Sequence, residues 1–202
     1  MPATRMPRMA SLRLSIMATA ALALGGCISF GEDPPPALLT LTPEAPVSSG
    51  SGVTAEATSA LTVMRPQVPG SLGVTRVPVQ VDASTIAYLK DAVWVDRPAK
   101  LFQQLLVTTI RQRTGRLVLD DVESRSGTDV TLRGTLRDFG YDARTNSAVV
   151  TYEAIRESNG RLETRRFTAS VPNVAAQAAP VGAALNEAAN QVAIDVAAWV
   201  GG

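Results

Sequence analysis

Two stretches of the chain carry apolar residues at helical spacing. The first lies between Pro98 and Thr114, and its large apolar residues are Leu101, Phe102, Leu105, Leu106 and Ile110. The second follows Pro180, and its apolar residues are Val181, Ala184, Leu185, Ala188, Ala189, Val192, Ala193, Val196 and Trp199. Intervals of three and four place each set on one side of a helix, where it can pack on a core. The pattern predicts two amphipathic helices, the second long, rich in Ala and ending at Gly201-Gly202.

The first of these helices has a predicted start, end and polar side. Asp96 is a candidate N-cap, Pro98 fits the first turn because its missing N–H is not needed there, and Gly115 follows the last turn. The polar side consists of Lys100, Gln103, Gln104, Thr108, Arg111 and Arg113. We expect this side to be solvated, with the arginines near the negative end of the helix dipole. A partner-binding surface is the alternative.

Apolar runs elsewhere predict strands. The runs are residues 61–64, 74–81, 84–89, 117–119, 130–141, 148–154 and 161–171. β-branched and aromatic residues bounded by Pro, Gly, Asn and Asp are typical of strands and of the turns between them. Ser158-Asn159-Gly160 predicts a hairpin, because Asn-Gly accepts positive φ at both central positions. The last three runs are therefore expected to be consecutive antiparallel strands.

Three positions interrupt the alternation within these runs. Pro78 lacks an N–H, so it is expected at a sheet edge or a bulge. Near Arg137-Asp138 the apolar phase shifts by one residue, which predicts a β-bulge. In the last run, the inward-facing set is expected to change phase between Leu162 and Phe167.

The first 26 residues have the pattern of an export signal. Three arginines are the only charges among the first 31 residues, and an uncharged apolar stretch runs from Leu14 to Gly26. About a dozen apolar residues are fewer than the roughly 20 that a membrane-spanning helix needs. Residues 1–26 are therefore expected to be a cleaved signal peptide. A buried core helix is the alternative, and the glycines and the Pro run that follow argue against it.

Leu24, Gly25, Gly26 and Cys27 end this segment. An aliphatic residue, two small residues and a Cys resemble the bacterial lipobox, whose first three residues are recognised by the signal peptidase. The resemblance implies that the Cys27 thiol receives a diacylglycerol group and that its new N-terminal amine is acylated, with no other cofactor. Several acyl chains hold a protein stably on a membrane, since each buried CH₂ contributes about 0.8 kcal/mol. Without this context, a lone Cys is usually a small buried hydrophobe.

A spacer follows the predicted lipidation site. Residues 27–60 are rich in Pro, Ser and Gly and include PPP at 34–36 and SSGSG at 48–52, a composition typical of a stiff segment followed by a flexible one. Leu38 to Thr42 form a β-favouring run that is either a first strand at a sheet edge or part of the tether. Residue 28 is Ile rather than Asp, which by resemblance to enterobacterial sorting rules favours the outer membrane over the inner one.

Composition excludes several functional classes. The chain has 202 residues, 46% hydrophobic and 18% charged, which suits one domain with its own core. Its formal net charge of +1 becomes −2 when residues 1–26 are removed, so no basic field is available for nucleic acid. With no His and one Cys, His-based triads, His-containing zinc sites and internal disulfides are excluded. No nucleotide-binding glycine motif occurs.

Two groups of residues are weak candidates for function. Asp120, Asp121 and Glu123 lie close together, but adjacent strand residues point to opposite faces and no calcium-binding spacing is present, so we expect a solvated turn. An acid-based hydrolase is the less favoured hypothesis. Tyr88 and Trp94 precede the first helix; they are either packing residues or a partner-binding surface.

Several strings, taken in order, resemble one family. They are the lipobox at Cys27, residues 37–41 (ALLTL), 75–77 (TRV), 86–89 (IAYL), 94–98 (WVDRP) leading into 101–106 (LFQQLL), 132–136 (LRGTL) with Phe139, Arg166-Phe167 with Pro172, and the terminal helix. In this order they resemble the ABC-type transport auxiliary lipoproteins associated with mammalian-cell-entry (MCE) transporters. The resemblance implies an α+β fold: residues 61–202 form a single domain in which an antiparallel sheet is packed by two helices.

The resemblance also implies a function and partners. A permease and an ATPase supply the energy, an MCE-type protein forms the periplasmic lipid conduit, and the lipid-anchored chain docks that conduit at a membrane without catalysing a reaction. A structural lipoprotein of outer-membrane assembly or of a secretion complex is the alternative hypothesis. A homo-oligomer is left open by the nearly neutral surface.

Overall fold

The computed structural model describes residues 37–44, 54, 60–123, 128 and 130–202. The predicted signal peptide, Cys27 and most of the spacer lie outside these residues. The elements are β1 (Leu61–Val63), β2 (Arg76–Gln80), β3 (Ile86–Val93), α1 (Pro98–Thr114), β4 (Val118–Asp120), β5 (Val130–Asp142), β6 (Ser147–Ser158), β7 (Arg161–Val171) and α2 (Ala178–Gly201), with a short 3-10 turn at Gly70–Leu72.

Within the described residues, seven strands form one mixed sheet. β5 is central. Along one edge it pairs with β6, which pairs in turn with β7. Along its other edge it pairs with both β1 and β2; β1 also pairs with β4, and β2 also pairs with β3. The β5–β6, β6–β7 and β2–β3 pairs are antiparallel, whereas β1 pairs in parallel with β4 and β5, and β2 in parallel with β5. The α+β prediction is confirmed, and the sheet is mixed rather than wholly antiparallel. Parallel pairing needs long crossover connections, which local patterns do not reveal.

Both helices and one face of the sheet enclose the core. α2 packs on α1 and on strands β6 and β7. The largest buried side chains are Trp94, Tyr152, Phe102, Phe139, Leu61, Leu72, Leu105, Leu106, Ile110, Leu132, Leu136 and Leu185. The predicted apolar side of α2 is buried as expected, with Trp199 half-buried at its end. None of the helices in the described part of the chain is long and apolar enough to cross a bilayer.

Two of the predicted strand irregularities are present, and so is the predicted hairpin. The β5–β6 register shifts between Leu136 and Asp138, which confirms the bulge. The β2–β3 register shifts between Arg76 and Pro78, so Pro78 lies beside an irregularity as its missing N–H requires. In the hairpin after β6, Asn159 and its neighbouring glycine both have positive φ, 50° and 72°.

The predicted change of phase in β7 is wrong. The β6–β7 register is continuous, with Phe167 opposite Tyr152 and Arg165 opposite Ala154. Leu162 therefore lies on the outer face of the sheet and is 59% exposed. On the side of Phe167, this half of β7 carries Arg161, Glu163 and Arg165 instead of apolar residues, and all three are exposed.

Two expectations for α1 also need correction. The N-cap residue is Arg97, which makes no side-chain cap bond, so Asp96 lies one position too early to be the cap. Gln103 is expected on the solvated side, but it is only 3% exposed. The predicted end of the helix is confirmed, since Gly115 adopts a left-handed conformation with φ 66° and donates its N–H to the Arg111 carbonyl.

Candidate functional site

Trp94 is a core residue and not part of a partner-binding surface. Its side chain is 1% exposed, and its ring packs on Phe139 with centroids 5.2 Å apart. Phe139 in turn contacts Phe102, and Phe102 contacts Tyr152. The hypothesis that Trp94 contributes to an interaction surface is therefore wrong, and the packing alternative holds.

Tyr88 lies on a different part of the surface and is half-buried. The guanidinium of Arg76 lies over its ring, 4.6 Å from the centroid, and its hydroxyl donates to the Ser71 carbonyl at 3.4 Å. Ser71 and the exposed Ile86 help to line a surface cavity of about 610 Å³. Cation–π contact and the cavity give this corner a mixed aromatic, apolar and basic character.

Backbone geometry explains why Tyr88 and Trp94 do not share a surface. On β3, Tyr88 pairs with Pro78, whereas Val93 pairs with Arg76, so β3 contains several extra residues at this point. Asp91 lies in this irregular stretch with φ 57°, a left-handed conformation that disrupts the alternation of faces. Strict alternation along β3 would place Trp94 on the same face of the sheet as Tyr88, but the irregular stretch between them breaks that alternation.

The start of α1 forms a basic corner around one carboxylate. Asp96 accepts hydrogen bonds from Lys100 Nζ at 2.6 Å and from the Arg97 backbone N–H at 2.7 Å. The bond from Lys100, followed by that from Arg97, holds the pKa of Asp96 below its usual value, and the charge of Arg65 adds to the effect. Arg65, Arg97 and Lys100 line a surface cavity of about 560 Å³ together with Gln67.

The acidic residues at the end of β4 and in the turn that follows have structural partners. Asp120 Oδ1 accepts from the backbone N–H groups of Val122 and Glu123, which is the expected turn. Asp121 Oδ1 accepts from Gln103 Nε2 at 2.6 Å, and the same amide nitrogen donates to the Val63 carbonyl at 2.9 Å. Gln103 thus joins α1 to β1 and to the β4 turn. No group of three or more metal-ligating side chains occurs within residues 37–44, 54, 60–123, 128 and 130–202.

Residues 37–44, here called the N-terminal segment, are held against the domain. Leu39 forms a single parallel bridge with Trp94 rather than a strand. Its N–H donates to the Val93 carbonyl at 2.8 Å, and its carbonyl accepts from the Val95 N–H at 2.8 Å. The alternatives of strand and tether are resolved in part: one residue pairs at the sheet edge.

Two side-chain amides of α2 hold the rest of this segment. Asn186 Oδ1 accepts from the Thr42 N–H at 2.8 Å. Asn190 Oδ1 accepts from the Glu44 N–H at 2.8 Å, and Asn190 Nδ2 donates to the Thr42 carbonyl at 2.9 Å. Sequence reasoning missed both residues. Two amides four residues apart in an Ala-rich apolar helix were the signal that could have found them, because a buried amide needs partners.

Comparison with known families identifies a family model that matches most of the chain. Residues 39–197 match the model of a family described as the ABC-type transport auxiliary lipoprotein component. This chain belongs to that family. The resemblance inferred from the ordered strings is thus confirmed, and membership of a lipoprotein family points to the cell envelope. The match begins at Leu39, the residue that bridges to Trp94.

Two solved structures share the fold. A crystal structure of an uncharacterized protein is 18% identical, with a TM-score of 0.61 over 71% of this chain and 92% of its own. A protein from Xanthomonas campestris is 19% identical, with a TM-score of 0.62 over 82% of this chain and 92% of its own. A comparison with curated proteins finds no match.

Proposed function

We propose that this protein is a non-catalytic, lipid-anchored auxiliary component of an MCE-type ABC transporter that moves phospholipid or another lipid across the cell envelope. Cys27 carries the acyl chains, and the folded domain docks the periplasmic conduit at the outer membrane. Membership of the transport auxiliary lipoprotein family supports the association with an ABC system. The MCE-type conduit and the lipid cargo come from the resemblance of the ordered strings.

The attachment of the N-terminal segment is the observation that carries this proposal. Leu39 is bonded to the end of β3 on both its N–H and its carbonyl. Leu39 lies 12 positions after Cys27, and a chain of that length reaches at most about 40 Å even when fully extended. A domain connected in this way to acylated Cys27 stays close to the membrane, as a docking component must.

Tyr88 is the proposed contact with the conduit. Its ring is half-buried beneath Arg76, next to the cavity that Ser71 and Ile86 help to line. Aromatic and Arg side chains are enriched at protein interfaces. A flat aromatic ring with a guanidinium on one face, beside a cavity lined by both apolar and charged side chains, suits a protein partner.

A pull-down from the native envelope tests the proposal. The tagged chain is solubilised in mild detergent, and its partners are identified by mass spectrometry, with Cys27→Ala as the anchor control and Tyr88→Ala as the contact variant. We expect the wild-type chain to recover an MCE-type protein, a permease and an ATPase. Tyr88→Ala should recover less of the MCE-type protein while remaining in the membrane fraction, and Cys27→Ala should leave that fraction.

Other outcomes would contradict the proposal. Recovery of an outer-membrane barrel or a secretion complex would support the structural-lipoprotein alternative. Recovery of no transporter component, together with unchanged lipid distribution and envelope integrity in a deletion strain, would overturn the transport role.

A further inference from the structure

In the hydrogen bonds that hold the N-terminal segment, the segment uses its backbone groups. Its bonds to β3 and α2 use the N–H and carbonyl of Leu39, the N–H and carbonyl of Thr42, and the N–H of Glu44. The partners on the domain are backbone groups of residues 93 and 95 and the side-chain amides of Asn186 and Asn190. The segment is therefore recognised as an extended chain.

The Asn190 amide takes the place of a neighbouring strand. In a parallel ladder, one residue donates its N–H to the carbonyl of residue j−1 and accepts from the N–H of residue j+1. Asn190 donates to the carbonyl of Thr42 and accepts from the N–H of Glu44, which is the same pattern centred on Pro43. Pro43 has no N–H, and this pattern does not require one.

Asn190 is a buried polar residue on a largely apolar side of α2, and its side-chain amide is fully hydrogen-bonded. It is only 6% exposed, and the second hydrogen of its Nδ2 donates to the Asn186 carbonyl at 2.9 Å. Both hydrogens and the oxygen of the amide are therefore used. Without the N-terminal segment, two of these three bonds would be lost, and a buried amide without partners is costly.

Side-chain packing fixes the position of the segment along α2. Leu39 lies against Gly182, where an added Cβ would come within 2.5 Å of Leu39 Cδ2. Gly182, Asn186 and Asn190 are spaced by four residues, so they form one row on the helix. The segment follows this row from Leu39 to Glu44.

We propose that residues 37–44 are a clasp that limits how far the domain can stand from the membrane. This inference rests on the lipidation of Cys27 in the proposed function. With the clasp closed, the chain between Cys27 and Leu39 spans at most about 40 Å. In a chain whose clasp is disrupted, the next described residue in a strand is Leu61, 34 positions after Cys27, and the upper limit set by chain length rises to about 115 Å. The clasp therefore lowers this upper limit nearly threefold.

A distance measurement tests the closed clasp without any lipid. Spin labels are placed on Thr40→Cys and Ala183→Cys in the mature chain with Cys27→Ser, since Cys27 is the one natural thiol. We expect a single narrow distance distribution for this chain. Asn186→Ala/Asn190→Ala should broaden and lengthen it, because both amides are removed.

Two further variants separate opening of the clasp from damage to the fold. Glu44→Pro removes the N–H that Asn190 accepts and leaves α2 unchanged, so it should open the clasp in the same direction. Glu187→Ala/Gln191→Ala alters exposed residues on the same turns of α2 and should keep the narrow distribution. A narrow distribution that persists in both the amide variant and Glu44→Pro would overturn the clasp.

Reach is measured on the lipidated chain in vesicles of phosphatidylethanolamine and phosphatidylglycerol. A donor dye on Gln104→Cys, an exposed position of α1, transfers energy to acceptor dyes on the lipid headgroups. Transfer should fall in Asn186→Ala/Asn190→Ala and in Glu44→Pro relative to the wild type. If Cys27 is shown by mass spectrometry to be acylated and transfer is unchanged, the clasp does not set the reach. If Cys27 carries no acyl chain, the reach proposal falls together with the anchor in the proposed function.

Discussion

Gly182 of α2 and Leu39 of the N-terminal segment are so close that a β-carbon on the glycine would lie 2.5 Å from Leu39 Cδ2. Ala is favoured over Gly in a helix interior by about 1 kcal/mol. Gly182 therefore lowers helix propensity, and its small size is explained by the close contact with Leu39. We expect Gly182→Ala to raise the stability of the wild-type chain little, because the new β-carbon collides with Leu39. The same substitution should stabilise a Leu39→Ala chain by about 0.5–1 kcal/mol. Urea unfolding of the four chains measures the coupling. Equal effects of Gly182→Ala in both backgrounds would show that the two residues are not coupled.

Trp94 and Tyr88 should differ sharply in their effect on stability. Trp94 is buried against Phe139, so Trp94→Ala should lower the free energy of unfolding by about 3–5 kcal/mol through the cavity it leaves. Tyr88 is half-buried on β3, and Tyr88→Ala should cost about 1 kcal/mol. Urea denaturation of the two variants provides the comparison. Equal losses would contradict the assignment of Trp94 to the core and Tyr88 to the surface.

Gln103 and its neighbour Gln104 form a matched pair on α1. Gln103 donates to the Val63 carbonyl and to Asp121 from a buried position, so Gln103→Ala should destabilise the domain by about 1–3 kcal/mol. Gln104 is exposed, and Gln104→Ala should change stability by no more than about 0.5 kcal/mol. Chemical unfolding followed by circular dichroism measures both values. A Gln103→Ala variant as stable as Gln104→Ala would mean that water replaces the lost bonds.

Glu153 on the outer face of the sheet should make stability depend on pH. Hydrogen bonds from Arg137, at 2.7 Å, and then from Arg166 lower the pKa of Glu153 below its usual value. Its contribution is therefore present above the pKa of the unfolded chain and is lost as the pH falls through the lower folded pKa. Glu153→Gln should lower the melting temperature at neutral pH, and the difference from wild type should vanish in acid.

Thermal unfolding across a pH series measures this effect. Glu157→Gln is the control, because its carboxylate lies 4.0 Å from Arg133 Nε and a looser exposed pair contributes less. The difference for Glu153→Gln should also shrink at high salt, since exposed charges are screened. A difference that grows toward acid pH would reverse the sign and contradict the assignment.

Local sequence determined the elements whose signals are complete within a short window. The apolar spacing before Gly115 and after Pro180 predicted both helices, and Asn159-Gly160 predicted the hairpin. The phase shift near Arg137-Asp138 predicted the bulge in β5. Each of these features depends on residues a few positions apart, so the physical cause is visible in the sequence itself.

Tertiary structure decided which strands are neighbours and which polar residues are buried. The parallel pairing of β1 with β4 and β5 joins residues far apart in the chain, where no local pattern specifies a partner. Trp94 was separated from Tyr88 by the irregular backbone around Asp91, and Gln103 and Asn190 were buried because other elements cover them. Their partners lie 40 and 146 residues away. Periodicity and turns are local and can be read from short windows of the chain. Contacts between distant segments depend on packing of the whole domain, so they are visible only in the folded structure.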